Sequence, residues 1–484
     1  APMAGTAGGT RAEQGPVTGP VPLTPIQSWY FAQEPSEPWH DNQALILAST
    51  RCLDPVRLDA ALARTAVHHD ALRLRFRSGD EGWEQWLDAP APVSPLLAVD
   101  LSAVPAAARS RQVEEVAALA QRSLNLTAGP VHRPVLFQGG GEREGWPDRF
   151  LWVIHHLAVD GVSWRLLLED LAAAYDGRAL PPKTTSFRLW SERLVELSGS
   201  EVVRREAGWW LERPWNEVAP LPVDGPDSGA GSVADERSVA IALGPEETRA
   251  LLEEVPRAYN SQINDALLSA LARAFHAWSG SPLLLVDLEG HGREDLFPDV
   301  DLSRTTGWFT SVFPVLVDLR QGADPGAALK TTKELLRAVP NGGLGWGLLA
   351  RSPEAERLAG LPRPQVSFNY LGQVDQGLPQ DLPFFPAAES AGANRSRQAP
   401  RAHLLEWNGS VSGGRLRFLC TYAEGAHRAA SIERLAAGFA KALRELIAHC
   451  RAPEAGGYTP SDFPLAGLSQ GQLDKLLTRR KRPQ

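Results

Sequence analysis

The chain has 484 residues, 43% of them hydrophobic and 22% charged, with a formal net charge of -8 at pH 7. That length exceeds one ordinary core and predicts two lobes plus tails, while the acidic balance argues against nucleic acid or an anionic membrane surface as the main partner. No run reaches the length needed to span a bilayer, and the opening "APMAGTAGGTRAEQGPVTGP" has no apolar leader segment, so a cytoplasmic protein is the expectation. Cys52, Cys420 and Cys450 show no CxxC spacing and indicate neither a disulfide framework nor a zinc site. The 15 Trp residues read as packing.

Residues 1–19, rich in Gly, Pro, Ala and Thr, read as a flexible linker. A first lobe is expected over 20–180, starting at "PLTPIQSWYF". At its centre stands "FLWVIHHLAVDGVSW", residues 150–164, an apolar run that ends in His155 and His156 and is followed by Asp160 and Gly161. The helix predicted next, "WRLLLEDLAAAYDG", carries Leu167, Leu168, Leu171 and Tyr175 at helical spacing and stops at Asp-Gly. If "FLWVIHHL" is a strand throughout, alternation sends the two histidines to opposite faces, and the apolar flanks do not say which one meets a cleft. Histidine is the side chain best placed to exchange a proton near neutral pH.

Residues 181–232 are a connection: a helical region, "SFRLWSERLVELSGSEVVRREAGWWLERPW", and then the Pro/Gly-rich "APLPVDGPDSGAGS". The second lobe, 233–452, opens with the alternating "ERSVAIAL". In "INDALLSALARAFHAW", Leu267, Leu271, Phe275 and Trp278 make one helix face. "PLLLVDLEGHGRE" reads as a buried strand that ends in a Gly-rich loop, and "QVSFNYLGQ" as another strand. In "LLEWNGSVSGGRLRFLCTYA", Gly413 and Gly414 predict a hairpin, with Leu416, Phe418, Cys420 and Tyr422 on one face. Beyond 452 the periodicity fades to one short helical piece, so 453–484 reads as a linker or tail with a solvated "RRKR". Strands and helices mix in both halves, which gives two α/β lobes.

On these residues the chain resembles a known family. "HHLAVDGVSW" matches the HHxxxDGxSW signature of the condensation superfamily of nonribosomal peptide synthetases. "PLTPIQSWYF", "EGHGRE" at 289–294, "RTTGWFTSVFPV" at 304–315, "PNGGLGWG" at 340–347 and "FNYLGQ" at 368–373 look like the ordered motif set of epimerization domains, covering about 20–450. One departure is Asp41 in "WHDNQALIL", where an aromatic is expected before Asn-Gln; it puts the contacts of that strand end in question.

The resemblance implies an α/β fold of two chloramphenicol-acetyltransferase-like lobes arranged as a V, with the active site in a tunnel between them. It implies inversion of the Cα of an aminoacyl or peptidyl thioester held on a carrier protein's phosphopantetheine arm, in antibiotic and other secondary metabolism. Its expected partners are that carrier and neighbouring synthetase domains, without nucleic acid or membrane; the chain itself is expected to bind no cofactor and no metal. The alternatives are a condensation domain that joins two carrier-bound acyl groups, and a catalytically silent module that only docks carriers. A thioester carbonyl stabilises an adjacent carbanion better than an amide does, and inversion needs a proton removed from one face and delivered to the other, so two acid/base groups would serve.

By motif position the resemblance makes His156 one such group and Glu289 the other, with the pKa of Glu289 tuned by partial burial. His155 would support the fold. Asp160 would be a structural anion paired with Arg293, and Gly161 would permit a tight turn into the next helix. That helix N terminus would favour negative charge on an enolate oxygen. Asn369 and Tyr370 would offer polar contacts to the thioester or its amino group, Trp308 and Phe309 would line or close the tunnel, and His291 would be a loop contact.

Overall fold

The computed structural model describes residues 12–91, 95–139, 146–225, 229–374, 383–473 and 475. Its strand Arg149–His155 explains the unbroken apolar run before the histidines. Phe150, Trp152 and Ile154 enter the main core. Leu151 and Val153 enter a second core with Val113, Ala117 and Ala120 of the helix Ala106–Gln121. A strand covered on both faces loses its alternation. Asn42–Ser49 and His132–Gln138 flank it antiparallel, in a five-stranded sheet whose outer strands are Leu97–Asp100 and Phe384–Pro386. The helices Pro55–His68 and Gly161–Tyr175 pack together over the main-core face. Leu167, Leu168 and Leu171 are buried there, each contributing about 2 kcal/mol by its removal from water.

The second sheet has six strands in the order Ser311–Asp318, Leu283–Gly290, Val366–Gln373, Leu405–Ser412, Arg415–Ala423 and Glu236–Ala242. Helices Pro245–Tyr259, Ile263–Ser279, Pro325–Ala338 and Ala429–Cys450 pack on one another beside it. Gly413 and Gly414 form the expected hairpin turn, with φ of 56° and 68°; a two-residue turn of this hand needs positive φ at both places. Leu416, Phe418, Cys420 and Tyr422 are buried on one face of the following strand, as the alternation predicts. The chain is thus mixed α/β in two lobes. Among the described residues no helix is long and apolar enough to cross a membrane.

Three expected boundaries need correction. The linker over 1–19 is too long: residues 1–11 lie outside the described residues, but Val17 is only 4% exposed and its N–H donates to Asp70 at 3.1 Å. Gln14 exchanges two hydrogen bonds with the Lys183 backbone at 2.9 Å. The lobes also do not divide cleanly at 232, because Phe384–Pro386 crosses over to pair with Asn42–Ser49. A three-residue strand has no period to read. Finally, the tail expected over 453–484 docks on the second lobe, where Lys333, 1% exposed, donates to Asp462 at 2.7 and 2.8 Å. A buried ammonium needs such a partner, but a pair so distant in sequence leaves no local pattern. The "RRKR" at 479–482 lies outside the described residues.

Candidate active site

The sheet strand ends at His155, and His156 opens the short 3-10 turn His156–Ala158, so the two rings part where the strand stops. His155 is fully buried. Its Nε2 donates to the Pro38 carbonyl at 2.8 Å and its Nδ1 accepts from the Leu157 N–H at 3.1 Å. With both nitrogens taken, burial pushes it down to about 3, and it remains neutral. His156 is partly buried, and its backbone N–H donates to the Asp41 carbonyl at 2.8 Å. Any residue offers that carbonyl, which removes the question raised by Asp41. The His156 ring lies against Trp308, centroids 4.3 Å apart. Its Nε2 is 2.9 Å from the Gln43 side-chain nitrogen. Its Nδ1 is enclosed, without a hydrogen-bond partner among the described residues.

Asp160 caps the helix Gly161–Tyr175: its Oδ1 accepts from the Ser163 N–H at 2.8 Å and the Ser163 hydroxyl at 2.7 Å. Its Oδ2 accepts from the Phe309 N–H at 3.2 Å. Arg293 Nη2 lies 3.2 Å from both carboxylate oxygens. The Arg293 guanidinium also covers the Phe309 ring at 3.9 Å and donates to the carbonyls of Leu302 and Thr305. One sequence expectation is corrected at this helix. Gly161 makes no tight turn: it is the first helical residue, and a Cβ on it would meet nothing within 4 Å. The N terminus is capped by the Asp160 carboxylate, itself paired with Arg293.

In strand Leu283–Gly290, Leu284, Val286 and Leu288 face the main core, so parity puts Asp287 and Glu289 on the other face. The neighbouring strand Val366–Gln373 runs parallel, with Ser367 beside Asp287 and Phe368 beside Leu288, and Asn369 Nδ2 then reaches Glu289 Oε2 at 2.7 Å. Glu289 is exposed to solvent, while protein atoms crowd around its carboxyl. Enclosure governs its titration: desolvation pushes it up to about 7, with His403 opposing and Glu406 and Asp287 adding. His403 Nε2 is 2.8 Å from Asp287 Oδ2. Tyr370, next along the strand, is partly buried, and burial raises its phenol.

Trp308 and Phe309 are both buried and line a cavity of about 820 Å³ that extends to Asp287 and His403. His156 and Glu289 are not on its walls; it reaches His156 only through Trp308. His291 accepts from the Arg293 N–H at 3.0 Å, a contact within its own loop. One ion pair ties the two motif segments: Asp160 follows His156 by four residues and Arg293 follows Glu289 by four. Gln43, Asp287 and His403 escaped the sequence reading. Asn-Gln in "WHDNQALIL" and the carboxyl two residues before Glu289 were the available signals; His403 had none. Elsewhere His68, His69 and Asp170 hold ligand atoms within 4.8 Å of one another, with Asp170 also taken by Arg304 at 2.6 Å.

Comparison with known proteins identifies the family. The condensation-domain family model matches residues 17–466. The chain is 46% identical over 97% of its length to one of the linear gramicidin synthase proteins of Brevibacillus parabrevis, and spans 6% of that protein. It is 37% identical over 97% of its length to a surfactin synthase protein of Bacillus subtilis (strain 168), and spans 13% of it. Among solved structures, the epimerization domain from the third module of tyrocidine synthetase B superposes with a TM-score of 0.81 at 32% identity, over 91% of this chain and 99% of that one. The condensation domain of the Monacolin K polyketide synthase shares the fold, with a TM-score of 0.71 at 17% identity over 91% of this chain and 99% of that one. With the family model matched over nearly its whole length, the chain belongs to the condensation-domain family.

Proposed function

We propose that the chain inverts the Cα of an aminoacyl or peptidyl thioester presented on the phosphopantetheine arm of a carrier protein. The observation that carries this reading is the placement of Glu289, which accepts from Asn369 at 2.7 Å at the end of a strand whose following loop is tied by Arg293 to the turn after His156; the protein crowded around its carboxyl pushes it up to about 7. A carboxyl with that pKa exists in both forms near neutrality and can either donate or accept a proton. The likeness to an epimerization domain at 32% identity supports the same choice. Formation of an amide between two acyl carriers gives a tuned carboxyl at this position no task.

In the reaction, one of the two groups removes the α-proton, and the C–H electron pair moves into the thioester carbonyl as an enolate. The other group delivers its own proton to the opposite face, and the carbonyl re-forms. The opposite enantiomer uses the pair in reverse. Asn369 keeps Glu289 in place, while Trp308 excludes water beside His156 and Phe309 lines the adjoining cavity. Tyr370 is available for polar contact with the substrate. The carrier and the neighbouring domains of a synthetase are the partners, in the cytoplasm, and the much longer relatives fit that setting.

The test loads L- and D-aminoacyl groups separately on a carrier and incubates each with the enzyme in deuterated water. Both are expected to converge on one mixture, with α-deuterium in the inverted product. Amide formation with a second loaded carrier and no α-label would instead assign condensation, and neither reaction would leave a docking module.

A further inference from the structure

Gln43 sits on the strand Asn42–Ser49 opposite Ile154, beside the histidine turn. Its Oε1 lies 2.8 Å from Trp164 Nε1, and its Nε2 lies 2.9 Å from His156 Nε2. Amide oxygen and nitrogen are distinguished by their partners, and here one partner decides. An indole N–H can only donate, so the amide atom that faces Trp164 is the oxygen, and the NH2 group faces His156. The NH2 group in turn needs an acceptor. The His156 tautomer with its proton on Nδ1 and its lone pair on Nε2 supplies one; the opposite tautomer and the imidazolium would both set N–H against N–H. Because Nδ1 is enclosed by protein, a proton exchanged with a ligand passes through Nε2.

We propose that Gln43 is a positioning residue which, oriented by Trp164, holds His156 in the tautomer with its lone pair on Nε2, ready to take a proton. This rests on the acid/base reading of His156. In the resting site the amide occupies the lone pair, so it selects the tautomer and yields its place when substrate arrives. Alanine at this position frees the lone pair but abandons the selection. Glutamate reverses it: a carboxylate accepts from both Trp164 and an Nε2–H, which strands the lone pair on the enclosed Nδ1.

The experiment is nitrogen NMR of the full chain with 15N-labelled histidine, with His156→Gln identifying the signal, read beside epimerization of a loaded carrier. The wild type is expected to carry its ring proton on Nδ1 at neutral pH. Gln43→Glu should move it to Nε2 and lower turnover about 100-fold or more, the usual reach of general-base catalysis. Trp164→Phe, which leaves Gln43 in place and removes only its orienting donor, should give a mixture of tautomers and intermediate turnover; it carries the test if Gln43→Glu does not fold. A wild-type ring protonated on Nε2, or a Trp164→Phe ring indistinguishable from wild type, overturns the proposal. If the tautomers behave as stated but the wild type inverts no thioester, the functional reading fails and the role of Gln43 stands. An active enzyme with a resting Nε2–H does the reverse.

Discussion

Arg293 Nη2 stands 3.2 Å from both oxygens of Asp160, and the same carboxylate caps the helix that carries Trp164. One buried anion thus sets the start of a helix in the first lobe and anchors the loop that follows Glu289 in the second. The Asp of the histidine motif commits its carboxylate to Ser163, Phe309 and Arg293.

Asp160→Ala should therefore act first on stability. It leaves a guanidinium enclosed without its anion, a change of about 3–5 kcal/mol for a buried pair, and the melting temperature should fall accordingly. The double variant Asp160→Ala with Arg293→Met should recover part of that loss, because no charge is left stranded. An Asp160→Ala protein that melts like wild type but has lost inversion would move Asp160 into the chemistry.

The two histidines should separate in the same pair of measurements. His156→Ala is expected to lose about 100-fold or more of the inversion rate while melting close to wild type, since its ring is partly open and makes one side-chain hydrogen bond. His155→Ala should melt lower, because it orphans the buried Leu157 N–H, at about 1–3 kcal/mol for an unsatisfied group, and leaves the Pro38 carbonyl only its bond from the Tyr30 hydroxyl. The opposite ranking would exchange their roles.

The docked C-terminal segment gives a third test, independent of activity. Asp462→Ala leaves Lys333 buried against the Tyr259 carbonyl alone, so thermal unfolding should come earlier by the amount that stranding a charge implies, about 3–5 kcal/mol. Adding Lys333→Met should restore most of it. Equal melting of Asp462→Ala and wild type would return residues after 452 to the status of a loose tail.

Much of this arrangement can be read from the chain, and the unreadable part has one physical character. Strand Arg149–His155, the hairpin at Gly413 and Gly414, and the burial of Leu416, Phe418, Cys420 and Tyr422 follow from local pattern. His156, Glu289, Asp160 and Arg293 are named by their motifs, and of these Asp160 and Arg293 form the expected ion pair. What escapes is contact between segments distant in sequence: Phe384–Pro386 on the first sheet, Asp462 on Lys333, His403 on Asp287. No periodicity encodes such pairs. Gly161 is the opposite case, a glycine in a motif whose backbone is ordinary helix and whose surroundings would admit a methyl group.

The last prediction turns on Glu289, whose carboxyl is pushed up to about 7 chiefly by enclosure. A raised folded-state pKa means that the native protein keeps a proton which the unfolded chain releases. The stabilisation from that proton is complete below the ordinary carboxylate value of 4.5 and is lost as pH rises through about 7. Glu289→Gln carries a neutral amide of the same shape, so the melting temperature of wild type relative to this variant should decline across that window and level off above it. Activity should report the same group. The competent free enzyme holds one proton across the pair, so kcat/KM for inversion should fall as pH rises through about 7, where Glu289 gives up its proton. The ratio of kcat/KM in the two directions equals the equilibrium constant, so the profiles for L- and D-thioesters should superimpose. A kcat/KM flat from pH 6 to 8, with no relative shift in melting between wild type and Glu289→Gln, would remove Glu289 from the reaction.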